Sequence, residues 1–323
     1  MNNFLYCFDN NYNLQAFSSM ISLLESVDQK INIYIIHKEE RDSKFVPKKI
    51  SNHKLLNKLE IYKFNKLKTH LPNLLDTHVS EATYYRLFLQ DYLSKEIKFV
   101  TYLDADIICV NNPLAQINDS INKMKLNNFT IASKTEDPQS SHNNSTRLSL
   151  KSMKYLNAGV MIIDVQSWID KNLKVKFIKI IEAKQEKLNL WDQDVLNIFF
   201  DGDYLELDKK LNYIVDLANY IYTILASDLH HLKLSYSEVV KDNIFIHFAG
   251  SHKPWALDGI ACNLSEIYQK YFRKANKLKY HIVHKTKKKS VHYFLKYLLK
   301  GSYFSLKYPI SFMFIFLISL FKK

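Results

Sequence analysis

The sequence predicts an α/β fold built on an open sheet flanked by helices, and three observations carry that reading. Apolar stretches of strand length alternate with helix-periodic segments over the first hundred residues. Two of these stretches end on an aspartate, at Phe8-Asp9 and at Leu103-Asp104, and in open α/β sheets ligands bind beyond the carboxyl ends of the strands. Only 5 Gly and 6 Pro occur in 323 residues, which excludes a linker-rich or low-complexity chain, and no internal repeat is present. A hydrophobic fraction of 47% supplies the core of one large domain, or of a domain with an appendage.

Taken in order, Asn3 to Phe8 reads as a buried strand. Asn13 to Ser26 follows with apolar residues at helical spacing (Leu14, Phe17, Ile21, Leu24). Ile31 to Ile36 is β-branched and reads as a second strand; a helix is expected over Val46 to Lys58 and a third strand over Glu60 to Phe64. Ser80 is the expected N-cap of a helix from Glu81 to Leu93, and Phe99 to Leu103 is a strand running into an acidic turn. Later strands are expected over Phe129 to Ser133, Gly159 to Asp164 and Ile244 to Phe248, with helices over Leu173 to Lys187 and Val195 to Phe200. Residues 137 to 152 are polar without either periodicity and read as a mobile loop.

The net charge of +13 suggests a nucleic-acid binder until its distribution is considered. Residues 273 to 323 hold 13 of the 45 basic residues and none of the 32 acidic ones, so the preceding chain is balanced. A nucleic-acid surface is therefore not expected. The boundary between a catalytic domain (1–270) and a tail (271–323) is placed where the acidic residues stop. The tail interleaves Lys with Tyr, Phe and Leu and ends in an apolar run, Ile310 to Phe321, closed by Lys322 and Lys323. That run falls short of the roughly 20 residues that span a bilayer; the pattern suits a segment lying on an anionic membrane surface. The competing reading is a terminal helix that closes the core. Three cysteines far apart (Cys7, Cys109, Cys262) make a poor disulfide framework and fit a reducing compartment. The amino-terminal stretch shows no basic leader or cleavage site, so a cytoplasmic location is expected.

Tyr102-Leu103-Asp104-Ala105-Asp106-Ile107-Ile108 sets two carboxylates two residues apart after an apolar strand. In extended geometry both point the same way, so both oxygens reach one hard cation such as Mg²⁺ or Mn²⁺. The small Ala105 leaves room for a ligand to approach the backbone. A solvated turn is the alternative, but this pair lies between two apolar segments. A third candidate ligand is His247 in His247-Phe248-Ala249-Gly250-Ser251-His252-Lys253-Pro254-Trp255. There Gly250 permits a close turn and Lys253 offers a charge for phosphate oxygens. A lone His among apolar neighbours is also commonly a packed core residue.

Six motifs in a fixed order make the sequence resemble glycosyltransferase family 8, and in particular the bacterial lipopolysaccharide and lipooligosaccharide α-galactosyl- and glucosyltransferases. They are Asp9-Asn10-Asn11-Tyr12, Ala82-Thr83-Tyr84-Tyr85-Arg86-Leu87, Leu103-Asp104-Ala105-Asp106, Tyr155-Leu156-Asn157-Ala158-Gly159-Val160, Trp191-Asp192-Gln193-Asp194-Val195-Leu196-Asn197, and the His247 to Trp255 segment. The resemblance covers residues 3 to 270. It implies a nucleotide-diphospho-sugar transferase fold of the GT-A type, with a mixed sheet, a UDP-sugar donor and Mn²⁺ (or Mg²⁺). Asp104, Asp106 and His247 are then the metal ligands. Asp9, Asn11 and Tyr12 hold uridine, with Tyr12 stacking on the base; Gly250 and Lys253 contact the diphosphate. Arg86, Asn157, Asp192 and Gln193 surround the transferred sugar, and Ala105 and Ala158 are expected among the residues that bind the donor. The family's acidic sugar-contacting residue falls in a stretch that here reads Ile131-Ala132-Ser133-Lys134-Thr135-Glu136-Asp137, in no fixed register, which leaves galactose and glucose both open.

The expected reaction transfers a hexose with retention to a lipid-linked glycan, lipopolysaccharide or lipooligosaccharide core, at the inner face of the cytoplasmic membrane. Gln193 stands where the family's candidate catalytic group lies, and an amide oxygen is a poor nucleophile. Attack on the face from which UDP departs is therefore expected, with Asp194 as the fallback nucleophile or alternatively a cap for the helix from Val195. Residues 76 to 80 and 250 to 255 are candidate closing loops. The competing functional classes are a metal-dependent nucleotidyltransferase, which lacks any Walker or kinase signature here, and a non-catalytic membrane-associated carbohydrate-binding protein on the same fold.

Overall fold

A computed structural model describes residues 1–65, 71, 80–215, 217, 236–284 and 286–321 of the chain. The strands in chain order are β1 (Asn2–Phe8), β2 (Ile31–His37), β3 (Leu56–Lys63), β4 (Phe99–Leu103), β5 (Ile107–Cys109), β6 (Ile131–Thr135), β7 (Leu156–Asp164), β8 (Leu205–Glu206), β9 (Tyr213–Ile214) and β10 (Phe245–His247). Seven of them form a mixed sheet in the order β3-β2-β1-β4-β7-β6-β8, and β5-β10-β9 form a smaller one. β1, β2, β3 and β4 run parallel, whereas β7 is antiparallel to β4 and to β6. Along β1 alternate side chains enter two cores: Phe4, Tyr6 and Phe8 on one face, Leu5 and Cys7 on the other. Burial on both faces is why these strands read as continuous apolar runs rather than alternating ones.

The chain leaves β1 through β2 and β3 on one side and returns to β4 on the other. The crevice between the carboxyl ends of β1 and β4 is therefore the point where strand order reverses, and Asp9 and Asp104 stand on either side of it. Because β7 runs the opposite way, its amino end (Leu156, Asn157, Ala158) lies at this same edge; the Asp104 amide donates to the Gly159 carbonyl at 2.9 Å. The helix Asn13–Ser26 is as expected from its periodicity, and its serines tie in β5: the Cys109 amide donates to Ser22 Oγ and Ser26 Oγ donates to the Cys109 carbonyl. β5 carries the chain away from the acidic turn, so this anchoring fixes the turn as well.

Four sequence expectations are corrected. The helix over Val46 to Lys58 shrinks to Lys48–Ser51, bounded by Pro47 and Asn52, and β3 begins at Leu56 as an edge strand beside β2. Glu81–Asp91, capped by Ser80 as expected, is a 3₁₀ helix that leaves helical geometry at Phe88. A three-residue turn brings i and i+3 over one another, which sets Thr83 and Arg86 on one side. Residues 138–148 are a helix rather than a loop. Asp137 caps it through Gln139 N and Ser140 N, Pro138 opens it, and its buried positions are Ser141, Ser145 and Leu148. Helical spacing is present there, but serines occupy the inward positions and hide it from an apolar count. Finally, the helix expected from Val195 starts at Trp191. A helix over Leu114–Asn127, closed by a left-handed Asn128, was not expected at all.

The position chosen as a domain boundary falls inside the helix Ser265–Ala275. Beyond it, Tyr280, Tyr297, Tyr303, Phe312 and Phe316 join the same core as β1. Phe294 of the helix Lys287–Leu299 stacks on Phe316 of the helix Pro309–Phe321, with ring centres 4.0 Å apart. The outward faces of this segment remain apolar: Leu299, Ile310, Phe314 and Phe321 are each at least 64% exposed. Among the described residues no helix is long and apolar enough to cross a membrane; Lys322 and Lys323 lie outside the described residues.

Candidate active site

Every residue expected at the site except Asn11 and Asp194 lines one cavity of about 370 Å³ at the switch point, within the size range of small-molecule sites. Asp9 sits just past β1, where its carboxylate accepts from Asn11 N and closes a short turn. That turn sends the Asn11 side chain to the exposed surface and brings Tyr12 to the cavity wall. There the Tyr12 ring meets Trp255 edge-on at 6.1 Å.

Asp104 and Asp106 are not extended as the i, i+2 argument supposed. They belong to a turn in which Ile107 N donates to the Asp104 carbonyl. The two carboxylates nevertheless converge with His247, their ligand atoms all within 4.8 Å of one another. His247 reaches them because β10 pairs with β5, opposing His247 to Ile107. Its ring lies against Gly159, where a Cβ would fall 2.3 Å from the ring; no side chain larger than hydrogen fits. The donor set of two carboxylates and an imidazole suits Mn²⁺ or Mg²⁺. Asp106 Oδ1 is buried, lies 3.5 Å from His247 Nε2 and has no hydrogen-bond partner. An orphaned carboxylate oxygen inside such a cluster is what a cation would satisfy.

Lys253 is buried, and its ammonium donates to Asp106 Oδ2 at 2.6 Å and to the Phe248 carbonyl at 2.7 Å. Burial alone would raise the Asp106 carboxyl, but Lys253 and then His247 outweigh it and hold it below the ordinary carboxylate range. Gly250 stands between the histidine and this lysine with φ at +77°, a left-handed turn that favours glycine. Of the two candidate closing loops, 250–255 is described, whereas 76–79 lie outside the described residues.

On the other wall Arg86 is fully buried between Asp104 (Nη2 to Oδ1, 2.8 Å) and Asp192 (Nε to Oδ2, 3.0 Å), with its guanidinium over the Tyr102 ring. Its Nη1 donates to the Ala158 carbonyl at 2.6 Å, and its Nε hydrogen goes to the Thr83 carbonyl. Asp192 Oδ1 is taken by the Thr83 hydroxyl, while Oδ2 is left buried without a hydrogen bond. Burial pushes the Asp192 carboxyl up to about 6, against the pull of Arg86 and Thr83. Gln193 Oε1 accepts from Ala158 N at 2.9 Å, and its side chain also hydrogen-bonds the Tyr155 hydroxyl.

Asp194 is not brought to the cavity. Its carboxylate is fully buried behind the wall, bound by Arg147 at 2.7 and 2.9 Å, by the Tyr155 hydroxyl and by Leu190 N. It therefore satisfies an amide at the head of a helix that begins four residues earlier than expected. Glu136, by contrast, lines the cavity and accepts from Asn157 Nδ2 at 2.7 Å. It belongs to the stretch 131–137 whose register the sequence left open, and its place at the cavity is set only when β6 pairs with β7. Thr83 and Asn212 were also missed; neither carries a charge or stands out from its neighbours in sequence.

A family model for glycosyl transferase family 8 matches residues 3–259. General stress protein A of Bacillus subtilis (strain 168) is 27% identical over 265 residues, covering 77% of this chain and 85% of that protein. The lipopolysaccharide 1,2-glucosyltransferase of Escherichia coli (strain K12) is 28% identical over 260 residues, covering 78% and 72%. Among solved structures, the galactosyltransferase LgtC in complex with donor and acceptor sugar analogues superposes with a TM-score of 0.64 at 17% identity, over 85% of this chain and 96% of that one.

Proposed function

The chain belongs to glycosyl transferase family 8, and on that premise we propose that it transfers galactose or glucose from UDP, with retention, to a lipid-linked glycan of the lipopolysaccharide or lipooligosaccharide core. One observation carries the reading: Asp104, Asp106 and His247 converge beside an orphaned carboxylate oxygen, on the floor of a cavity whose facing wall holds Arg86, Asp192, Asn157 and Gln193. A divalent ion held by the three ligands would neutralise the diphosphate as its bond to the sugar breaks.

The chain's own groups divide the remaining work. Asp9 and Tyr12 border the end of the cavity suited to uridine. Lys253, which rests on Asp106, is the cation available to the β-phosphate once it turns. Asp192 Oδ2 has an unfilled acceptor position for a sugar hydroxyl, and Glu136 has carboxylate lone pairs to spare. Neither Gln193, whose oxygen is held by a backbone amide, nor Asp194, tied to Arg147 behind the wall, is free to attack the sugar. This supports same-face attack: the acceptor hydroxyl forms the new bond to the anomeric carbon as the bond to phosphate breaks, and its proton passes to the departing phosphate oxygen. The tail, through its outward apolar residues and lysines, would hold the enzyme at the inner face of an anionic membrane where such an acceptor is displayed.

The test is UDP release from a panel of UDP-sugars with Mn²⁺, with and without a lipid-linked acceptor. Release is expected from UDP-galactose or UDP-glucose, to be abolished by EDTA and lost in Asp104→Asn. Wild-type turnover by that variant would refute the metal assignment, and release of pyrophosphate would point to a nucleotidyltransferase instead. Asp106→Asn is a poorer probe, because it strips a buried lysine of its counter-charge, a change that costs about 3–5 kcal/mol.

A further inference from the structure

Asn212 lies at the end of the short turn Lys209–Asn212, fully buried, between the metal ligands and the sugar-side wall. Its side chain continues a line of hydrogen bonds whose polarity is fixed at its far end. Gly159 N, a donor, reaches Asn157 Oδ1 at 3.0 Å, while Glu136, a carboxylate, takes Asn157 Nδ2 at 2.7 Å. The Asn157 amide therefore has only one orientation. Asn212 must present its NH₂ to Asn157 Oδ1, at 2.9 Å, and its oxygen to His247 Nδ1, at 3.0 Å. The neutral His247 ring then carries its hydrogen on Nδ1, and Nε2 keeps its lone pair toward the orphaned Asp106 Oδ1, 3.5 Å away. Two acceptors face each other with nothing to share, which is the arrangement a cation joins. Outer partners of this kind orient metal-binding imidazoles and set their tautomer.

We propose that Asn212 is a positioning residue that fixes the His247 ring for a divalent ion and joins ion affinity to the Glu136 and Asn157 groups on the sugar side. The inference rests on the metal reading given above. Two substitutions separate its arms. Asn212→Ala removes both hydrogen bonds. Asn212→Asp keeps an acceptor for His247 Nδ1, a carboxylate of the kind that commonly supports a ligating imidazole, but replaces the donor to Asn157 Oδ1 with an acceptor, so the sugar arm is the one broken.

The primary readout is loss of the free Mn²⁺ electron paramagnetic resonance signal on titration into protein with UDP present. Wild type should bind, and Asn212→Ala should bind about 10- to 100-fold more weakly. Asn212→Asp should stay within about threefold of wild type for Mn²⁺ while its KM for the UDP-sugar rises about tenfold, the scale of one lost buried hydrogen bond. A second readout needs no variant: long-range ¹⁵N–¹H correlation on metal-free wild type at pH 8 should show the Nδ1–H tautomer at His247. Unchanged Mn²⁺ affinity in Asn212→Ala, equal loss in both variants, or an Nε2–H tautomer overturns the proposal. A wild-type chain that leaves the Mn²⁺ signal untouched removes the metal reading itself and this inference with it.

Discussion

At the scale of the residue, Arg86 and Asp192 show how one ion pair serves two purposes. The guanidinium is shared between Asp104, beside Asp106 and His247, and Asp192 on the other wall, and burial raises the Asp192 carboxyl to about 6. Because that value lies above the ordinary 3.8, the native state takes up this proton more readily than the unfolded chain. Stability owed to this group is full below about pH 4 and declines as pH rises through 6. Activity should run the other way, since the charged carboxylate is what holds Arg86 and accepts from the sugar. We expect kcat/KM to fall on the acidic side with a midpoint near pH 6, and Asp192→Asn to lower it about 100-fold and erase that limb. A pH–rate profile of the two proteins checks this; an unchanged acidic limb in the variant would assign it to another group. The convergence of Asp104 and Asp106 was legible in the sequence because their residue type and close spacing carry it, whereas His247 and Lys253, far along the chain, were singled out through the ordered motifs. Asn212 and Thr83 were not, because a neutral side chain acquires its role from what it faces.

At the scale of the element, three features set the site and only one of them had a clear sequence signature. The N-cap at Ser80 was readable, but the tightening of Glu81–Asp91 into a 3₁₀ helix was not, since packing rather than propensity selects it. The antiparallel direction of β7 brings Asn157 and Ala158 to the carboxyl edge of parallel strands, and strand direction leaves no mark in a single segment. The terminal segment shows both faces of an ambiguous pattern. Tyr297, Phe312 and Phe316 face the core while Leu299, Ile310 and Phe314 face outward. Replacing Ile310 and Phe314 together with Asp should therefore abolish co-sedimentation with anionic vesicles and shift the melting temperature by no more than a few degrees, as expected for exposed positions. Retained vesicle binding would limit this segment to closing the core.

At the scale of the whole molecule, two apolar cores on either face of the mixed sheet hold a polar crevice at its switch point, and the crevice gathers like charges. Asp104, Asp106 and Asp192 repel one another, and Arg86 and Lys253 balance them. Ligands that add positive charge and bridge its walls should stabilise the fold: Mn²⁺ with UDP at about 100 times the dissociation constant corresponds to about 2.7 kcal/mol. Differential scanning calorimetry should show a rise in melting temperature for wild type with both ligands and a much smaller one for Asp104→Asn. Equal shifts would place the binding energy elsewhere.

The sequence by itself determined the class of fold, the strand ends that carry Asp9 and Asp104, the pairing of Asp104 with Asp106 and the family. All of these follow from local period, residue type and the order of motifs along the chain. Only the tertiary structure decided that Asp194 stands behind the wall with Arg147, that Glu136 enters the cavity, and that Asn212 joins the sugar side to His247. Those outcomes depend on which strands pair and in which direction. Pairing brings together residues 21 to 55 positions apart, and no local pattern encodes which side chains will meet.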